Sequence, residues 1–286
     1  MANPRVLVLR APGTNCDLET AHAFERAGAV AERLHVNRLR EQPSLLDSFQ
    51  ILCLPGGFSY GDDVSAGRIL GNQIRVRLAD DVRRFRDAGK LVLGICNGFQ
   101  ILLKSGILLE DDVPATGGPA TAQATLALNE SGRYEDRWVR VGTQGSKCVF
   151  FSGVESMYLP VAHAEGKFVP RDAAVLAKLE SGGQACLKYR PLDENAPSPP
   201  APLQQGARGA GLPVGANHTV PYPDNPNGAT NDIAAVCDPT GRVCGLMPHP
   251  ERHLDAVQHP QWTRMKKLPP AGDGFVVFQN AVRYFL

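Results

Sequence analysis

Through its first hundred residues the chain alternates short apolar runs with stretches of helical spacing. Residues 6–9, 30–36, 49–54 and 91–95 read as strands, separated by helical patterns over 17–28, 68–88 and 97–104. Asp17 stands at the N-cap and Gly28 at the C-cap of the first helix, and 68–88 reads as one long helix with mixed charges outward. Strands alternating with helices predict an α/β fold, a doubly wound and mostly parallel sheet flanked by helices. In such sheets ligands bind beyond the carboxyl ends of the strands. The loops after Leu9, Leu54 and Ile95 therefore share one rim. Between 121 and 161 the pattern shifts to shorter alternating strands such as 138–141, which predicts antiparallel additions. The sheet resumes near 234–236 and 242–246, and 262–286 ends in a helix packed back on the domain. Residues 191–226 are rich in Pro, Gly and Ala and read as a long, partly disordered loop. Residues 1–286 read as a single domain.

Composition narrows the class. Hydrophobic residues make up 43% and charged residues 21%, with a net charge of +1, so the chain has no polyanion-binding character. No apolar run reaches membrane-spanning length, and no leader pattern precedes the first strand. Neither nucleic acid nor membrane is an expected partner, and a cytoplasmic location is expected. Seven cysteines, an odd number without a Cys-x-x-Cys pair, fit reduced thiols better than disulfides or zinc, and no metal site is expected.

Three segments carry candidate chemistry. The run at 91–95 stops at Gly94-Ile95-Cys96-Asn97-Gly98, and helical spacing follows at once. This is the thiol counterpart of a Gly-x-Ser-x-Gly nucleophile elbow. A side chain at either glycine would collide with adjacent backbone. The turn lifts Cys96 to a helix N-terminus, where free N–H groups and the macrodipole favour a thiolate. Taken alone, the same residues also fit a buried cysteine in a strand–helix joint. Far downstream, Met247-Pro248-His249-Pro250-Glu251-Arg252 sets His249 and Glu251 two residues apart; the following proline predicts an extended His249, with Glu251 on the same side. They can act as base and orienter for Cys96. Pro55-Gly56-Gly57, at the end of another strand, lets backbone approach a ligand; N–H groups near Gly57 and at Asn97 can form an oxyanion hole. Cys16 also follows a strand and precedes a helix, but lacks flanking glycines. His22, His35, His218, His253 and His259 have no evident partner and read as surface or capping residues.

The segments 94–100 (Gly-Ile-Cys-Asn-Gly-Phe-Gln), 55–62 (Pro-Gly-Gly-Phe-Ser-Tyr-Gly-Asp) and 247–252 resemble class I (triad) glutamine amidotransferases, whose fold is flavodoxin-like. Ala-Pro-Gly-Thr-Asn-Cys-Asp at 11–17, Pro-Val-Ala-His-Ala-Glu-Gly-Lys-Phe at 160–168 and Asn-Pro-Asn-Gly at 225–228 are similar to one branch, the glutaminase subunits of phosphoribosylformylglycinamidine synthases in purine biosynthesis. The resemblance implies cleavage of the glutamine side-chain amide at Cys96, with His249 and Glu251 completing the triad. It further implies oxyanion N–H groups from Gly57 and Asn97, Gln100 beside the bound glutamine, and His163 and Glu165 near the glutamine pocket. Ammonia would pass to a large synthase subunit, with a small accessory subunit in the same complex. Ala164 stands where the branch usually has glycine, and about 191–215 looks like an insertion.

The chain has no phosphate-cradling Gly-x-x-x-x-Gly-Lys-Ser/Thr loop, and Gly206 to Gly211 follows no strand and reads as linker. No cofactor is expected on this chain; ATP and Mg are expected on the synthase partner. Two other readings compete with the glutaminase subunit: a same-fold cysteine hydrolase, such as a peptidase or gamma-glutamyl hydrolase acting without a synthase, and a non-catalytic binding protein.

Overall fold

A computed structural model describes residues 3–112, 120–143, 146–192 and 218–286. The first half builds β1 (Arg5–Arg10), α1 (Asp17–Arg26), β2 (Val30–His35), α2 (Val36–Glu41), β3 (Ile51–Leu54), α3 (Arg68–Arg77), α4 (Ala79–Asp87), β4 (Leu91–Ile95) and α5 (Asn97–Ser105). The second half adds β5 (Ala124–Ala127), β6 (Glu135–Gly142), β7 (Ser156–His163), β8 (Lys167–Pro170), α6 (Ala173–Ser181), β9 (Leu187–Arg190), β10 (Ile233–Cys237), β11 (Val243–Leu246) and α7 (Phe275–Arg283).

One nine-stranded sheet runs β2-β1-β3-β4-β11-β10-β9-β6-β7. Its first five strands are mutually parallel, and the last four are added antiparallel. β5 and β8 form a separate antiparallel pair. The doubly wound parallel core with antiparallel additions matches the sequence reading. β3, β4 and β11 are buried at every residue, as continuous apolar runs in a helix-covered sheet should be. Because β11 pairs directly with β4, the loop leaving Leu246 emerges beside the loop leaving Ile95, though some 150 residues separate them in the chain.

Several boundaries differ from the sequence reading. The long helix over 68–88 is two helices, α3 and α4, broken at Leu78, which leaves helical geometry (φ −133°, ψ 1°) and buries its side chain. Periodicity hides this break because both halves keep the same apolar face. Cys16, not Asp17, occupies the N-cap of α1; the Asp17 carboxylate instead pairs with Arg10 Nε at 2.8 Å and Arg33 Nη1 at 3.0 Å. The C-terminal helix covers only Phe275–Arg283 of the 262–286 stretch. His35 and His259 accept backbone N–H groups two residues on, as capping residues do, but His253 is buried, with Nδ1 2.8 Å from the Tyr158 carbonyl. Most of the 191–215 insertion, with the glycine tract at 206–211, lies outside the described residues. Among the described residues no helix is long and apolar enough to cross a membrane.

The elbow depends on two glycines. A Cβ at Gly98 would sit 1.9 Å from the Leu54 carbonyl oxygen, and one at Gly94 would sit 2.6 Å from the Gly98 oxygen. Glycine at both positions lets α5 rest against the ends of β3 and β4. Gly98→Ala is expected to cost at least about 3 kcal/mol of unfolding free energy, because backbone rather than a flexible side chain must yield. Gly89→Ala, in open space at φ +81°, is expected to cost about 1 kcal/mol for the left-handed backbone alone. Urea midpoints of the two variants check the contrast; equal losses would contradict the contact assigned to Gly98.

Candidate active site

Cys96 lies between β4 and α5 with φ 52° and ψ −105°, a backbone conformation that side chains seldom adopt. Its N–H donates to the Leu246 carbonyl at 2.7 Å, which ties the elbow to the neighbouring strand. Its Sγ is 3.6 Å from the Ala162 carbonyl oxygen. Asn97 opens α5, so its N–H has no carbonyl one turn back to bond within the helix.

His249 leaves the end of β11 with φ −104° and ψ 88°, and its N–H donates to the Pro160 carbonyl at 2.8 Å. The expected extended run stops there. Pro250–Arg252 is a short 3-10 turn, and this turn, not strand geometry, brings Glu251 back onto the ring. His249 Nδ1–H donates to Glu251 Oε1 at 2.6 Å, with both side chains buried. Glu251 thereby fixes the tautomer and leaves Nε2, a buried atom with no hydrogen-bond partner among the described residues, as the nitrogen that can exchange a proton. Burial by itself would lower the pKa of His249, but the Glu251 carboxylate and the Cys96 thiol outweigh it and hold the imidazole well above its ordinary range. The charged imidazole can thus supply a proton to an amine leaving from a group attached at Cys96.

Gly57 belongs to the loop after β3, at φ +130°, bridged to Thr14 in the loop after β1. The expected rim is formed: the loops after β1, β3, β4 and β11 meet at the carboxyl edge of the sheet.

Gln100 and Glu165 form a support behind this rim. Gln100 is buried; its Nε2 donates to the Glu165 carbonyl at 2.6 Å and its Oε1 accepts from Asn97 Nδ2 at 2.8 Å. Asn97 also donates to Asp62 and accepts from the Ser59 N–H. The Glu165 carboxylate accepts the Ala66 N–H at 3.2 Å and lies 3.7 Å from Lys104 Nζ. These side chains join α5 to the loop following β3 and to the turn between β7 and β8. His163, at the end of β7, is fully enclosed. Its Nδ1–H donates to Asn129 Oδ1 at 3.1 Å, an oxygen that also accepts the Gly166 N–H. Burial, aided by the charge on His249, lowers His163 to about 3, so it is neutral at pH 7 beside a charged His249. Ala164 is not among the left-handed residues, which is why alanine is accommodated there.

Three participants were not assigned from sequence. Asn129 orients His163, but it lies among irregular short strands where no motif marks it. Phe58 and Tyr134 stack with centroids 6.4 Å apart, both partly exposed; burial and the Cys96 charge push the Tyr134 phenol up. Cys16, weighed above as a rival nucleophile, lies close to His249 and Glu251: a Cβ on Gly56 would be 2.8 Å from His249 Cε1 and 3.1 Å from Cys16 Sγ. Its thiol is 3.2 Å from Arg252 Nη2, and burial raises its pKa despite the favourable interaction with His249. Cys16 occupies a helix N-cap without an elbow, and its sulfur faces the Asn15 side chain at 3.2 Å.

A model of the CobB/CobQ-like glutamine amidotransferase domain matches residues 3–202 and 214–285. A protein of Dehalococcoides mccartyi named phosphoribosylformylglycinamidine synthase subunit PurQ is 43% identical over 285 residues, 99% of this chain and 98% of the relative. One of the same name from Archaeoglobus fulgidus is 36% identical, covering 98% and 96%. Among solved structures, a chain of PurLQS from Thermotoga maritima superimposes with a TM-score of 0.66 at 28% identity, covering 99% of this chain and all of that one.

The buried neutral His163 has a stability consequence. In the unfolded chain it titrates near 6.5, in the folded chain near 3, so the unfolded state binds more protons between those values. The stability it contributes is complete above about pH 6.5 and falls on acidification towards 3, by on the order of 1 kcal/mol per pH unit. His163→Asn, which cannot titrate, is expected to flatten the fall of the urea midpoint between pH 6.5 and 4.5. Parallel curves for variant and parent would contradict this.

Proposed function

The chain belongs to the family of CobB/CobQ-like glutamine amidotransferase domains, and on that footing we propose that it is the glutaminase subunit of phosphoribosylformylglycinamidine synthase, delivering ammonia in de novo purine biosynthesis. The observation that carries the proposal is the buried 2.6 Å contact of His249 with Glu251, set beside a cysteine on a strained elbow. The Cys96 thiolate attacks the side-chain carbonyl carbon of glutamine. The N–H groups of Gly57 and Asn97 hold the oxyanion, an interaction whose removal costs roughly 3 kcal/mol in comparable sites. As the tetrahedral species collapses, the carbon–nitrogen bond breaks and His249 gives its proton to the departing ammonia. A thioester to Cys96 remains. His249 then takes a proton from water, the hydroxide attacks the thioester, and glutamate leaves with the thiolate restored.

Gln100, Glu165 and His163 serve this site as positioning residues, since their polar atoms are largely committed to other protein groups. The partner is a large synthase subunit, with a small accessory subunit in the same complex. Support for a multi-subunit partner comes from the likeness to a chain of PurLQS. ATP and Mg belong to that large subunit, and the complex operates in the cytoplasm.

Glutamate release from glutamine by the full chain, with and without the synthase subunits, tests the proposal. Release should rise on adding the partner, and Cys96→Ala should lower kcat/KM by at least about 10⁴-fold. Release unchanged by the partner would favour a same-fold hydrolase working alone. No release in either condition would overturn the glutaminase reading.

A further inference from the structure

Four of the seven cysteines meet where the antiparallel strands join the parallel core. Cys237 ends β10 and pairs in register with Cys244 on β11. Cys186 immediately precedes β9, and its N–H donates to the Ala235 carbonyl of β10. Cys148 comes from the segment between β6 and β7; the neighbouring Val149 N–H donates to the Gly241 carbonyl in the β10–β11 turn. All four side chains are buried. The sulfurs of Cys148, Cys186 and Cys244 lie within 4.8 Å of one another; Cys237 interacts with Cys148 and Cys186 from just outside that trio and would move in as the fourth ligand. All four are free thiols.

The surroundings hold these sulfurs in place. The Asp238 carboxylate accepts the N–H groups of Arg242 and Val243 at 3.0 Å each and so closes the turn that sets Cys237 opposite Cys244. Gln184 Nε2 donates to the Cys237 carbonyl at 3.0 Å, and the Gln184 carbonyl accepts the Cys237 N–H at 2.8 Å. The Phe150 N–H is directed at the Cys148 sulfur, a donor that suits a thiolate. Single buried thiols are ordinary core residues, but four whose sulfurs converge offer a metal the soft ligands it favours.

We propose that Cys148, Cys186, Cys237 and Cys244 form a structural zinc site, closed and four-coordinate. Zinc binds thiolates at about 2.3 Å in a tetrahedron, which spaces the sulfurs by about 3.8 Å. Three sulfurs all within 4.8 Å of one another suit one ion; a cluster of several irons would hold its thiolates farther apart. Binding displaces the thiol protons to solvent and involves no electron transfer. The ion would join β10, β11, the residue preceding β9 and the segment before β7, fastening the antiparallel strands to the parallel core without contacting the reacting atoms. The sequence reading expected no metal because the ligands come from four separate elements, so no Cys-x-x-Cys pair announces them.

The full chain, purified under reducing conditions without chelator, is analysed for bound metal, then exchanged with Co²⁺. The expected result is one zinc per chain surviving gel filtration, and the ligand-field and sulfur-to-metal bands of tetrahedral four-thiolate cobalt. Cys186→Ser and Cys244→Ser should each lower zinc from one per chain to none. Cys53→Ser and Cys16→Ser should retain it; the latter distinguishes this site from Cys16, His249 and Glu251, which also lie close together. If the serine variants fail to fold, the cobalt spectrum of the unaltered chain decides. Folded protein that binds no zinc from excess, two thiols fewer than seven after denaturation, or zinc lost in Cys16→Ser would each overturn the proposal.

Discussion

The carbonyl of Leu54, at the end of β3, occupies the space that a Cβ on Gly98 would need, and Gly98 in turn rests on Gly94. That backbone contact fixes how closely α5 approaches the sheet. With β4 and α5 so close, the chain between them must turn within one residue, and that residue is Cys96 at φ 52°. The strain is held by its surroundings: the Cys96 N–H is anchored on β11, and the helix behind it is tied through Asn97 and Gln100 to two further loops. The sulfur and the first free N–H of the helix therefore keep their relative positions in the absence of a substrate. Such preorganisation is what makes an oxyanion site effective, since little reorganisation remains for the reaction itself.

Electrostatics complete what the elbow begins. His249 is the central group, with Glu251 on Nδ1, the Cys96 thiol within its influence and Cys16 close to both His249 and Glu251. Glu251 decides the tautomer and supports the charge. His163, enclosed nearby, is kept neutral by burial and adds no competing cation. Two histidines so close are pushed in opposite directions, one up by a carboxylate and one down by desolvation. The two thiols beside His249 differ mainly in backbone: Cys96 projects from an elbow, whereas Cys16 caps a helix and is engaged by Asn15 and Arg252.

The parallel core was readable because its strands are continuous apolar runs bounded by glycine and proline, and Gly-x-Cys-x-Gly leaves few backbone alternatives. The pairing of His249 with Glu251 was readable because Pro-His-Pro-Glu restricts its own geometry, although the turn that unites them is 3-10 rather than extended. Contacts made across the fold left no local trace. Leu78 breaks a helix that periodicity runs straight through, Asn129 orients His163 from 34 residues away, and Cys148 meets Cys186 and Cys244 only once the antiparallel strands have assembled. Asp17 failed as a cap for the same reason, since two arginines from neighbouring strands claim its carboxylate.

The central claim is that the elbow and His249 make Cys96, rather than its neighbour Cys16, the nucleophile. Brief exposure to a glutamine-like alkylating agent, followed by peptide mapping of all seven cysteines, tests this most directly. Labelling should fall on Cys96 well ahead of every other thiol, should be blocked by glutamine, and should slow sharply in His249→Asn. Labelling of Cys16 first, or labelling of Cys96 at the same rate with and without the imidazole, would contradict the account.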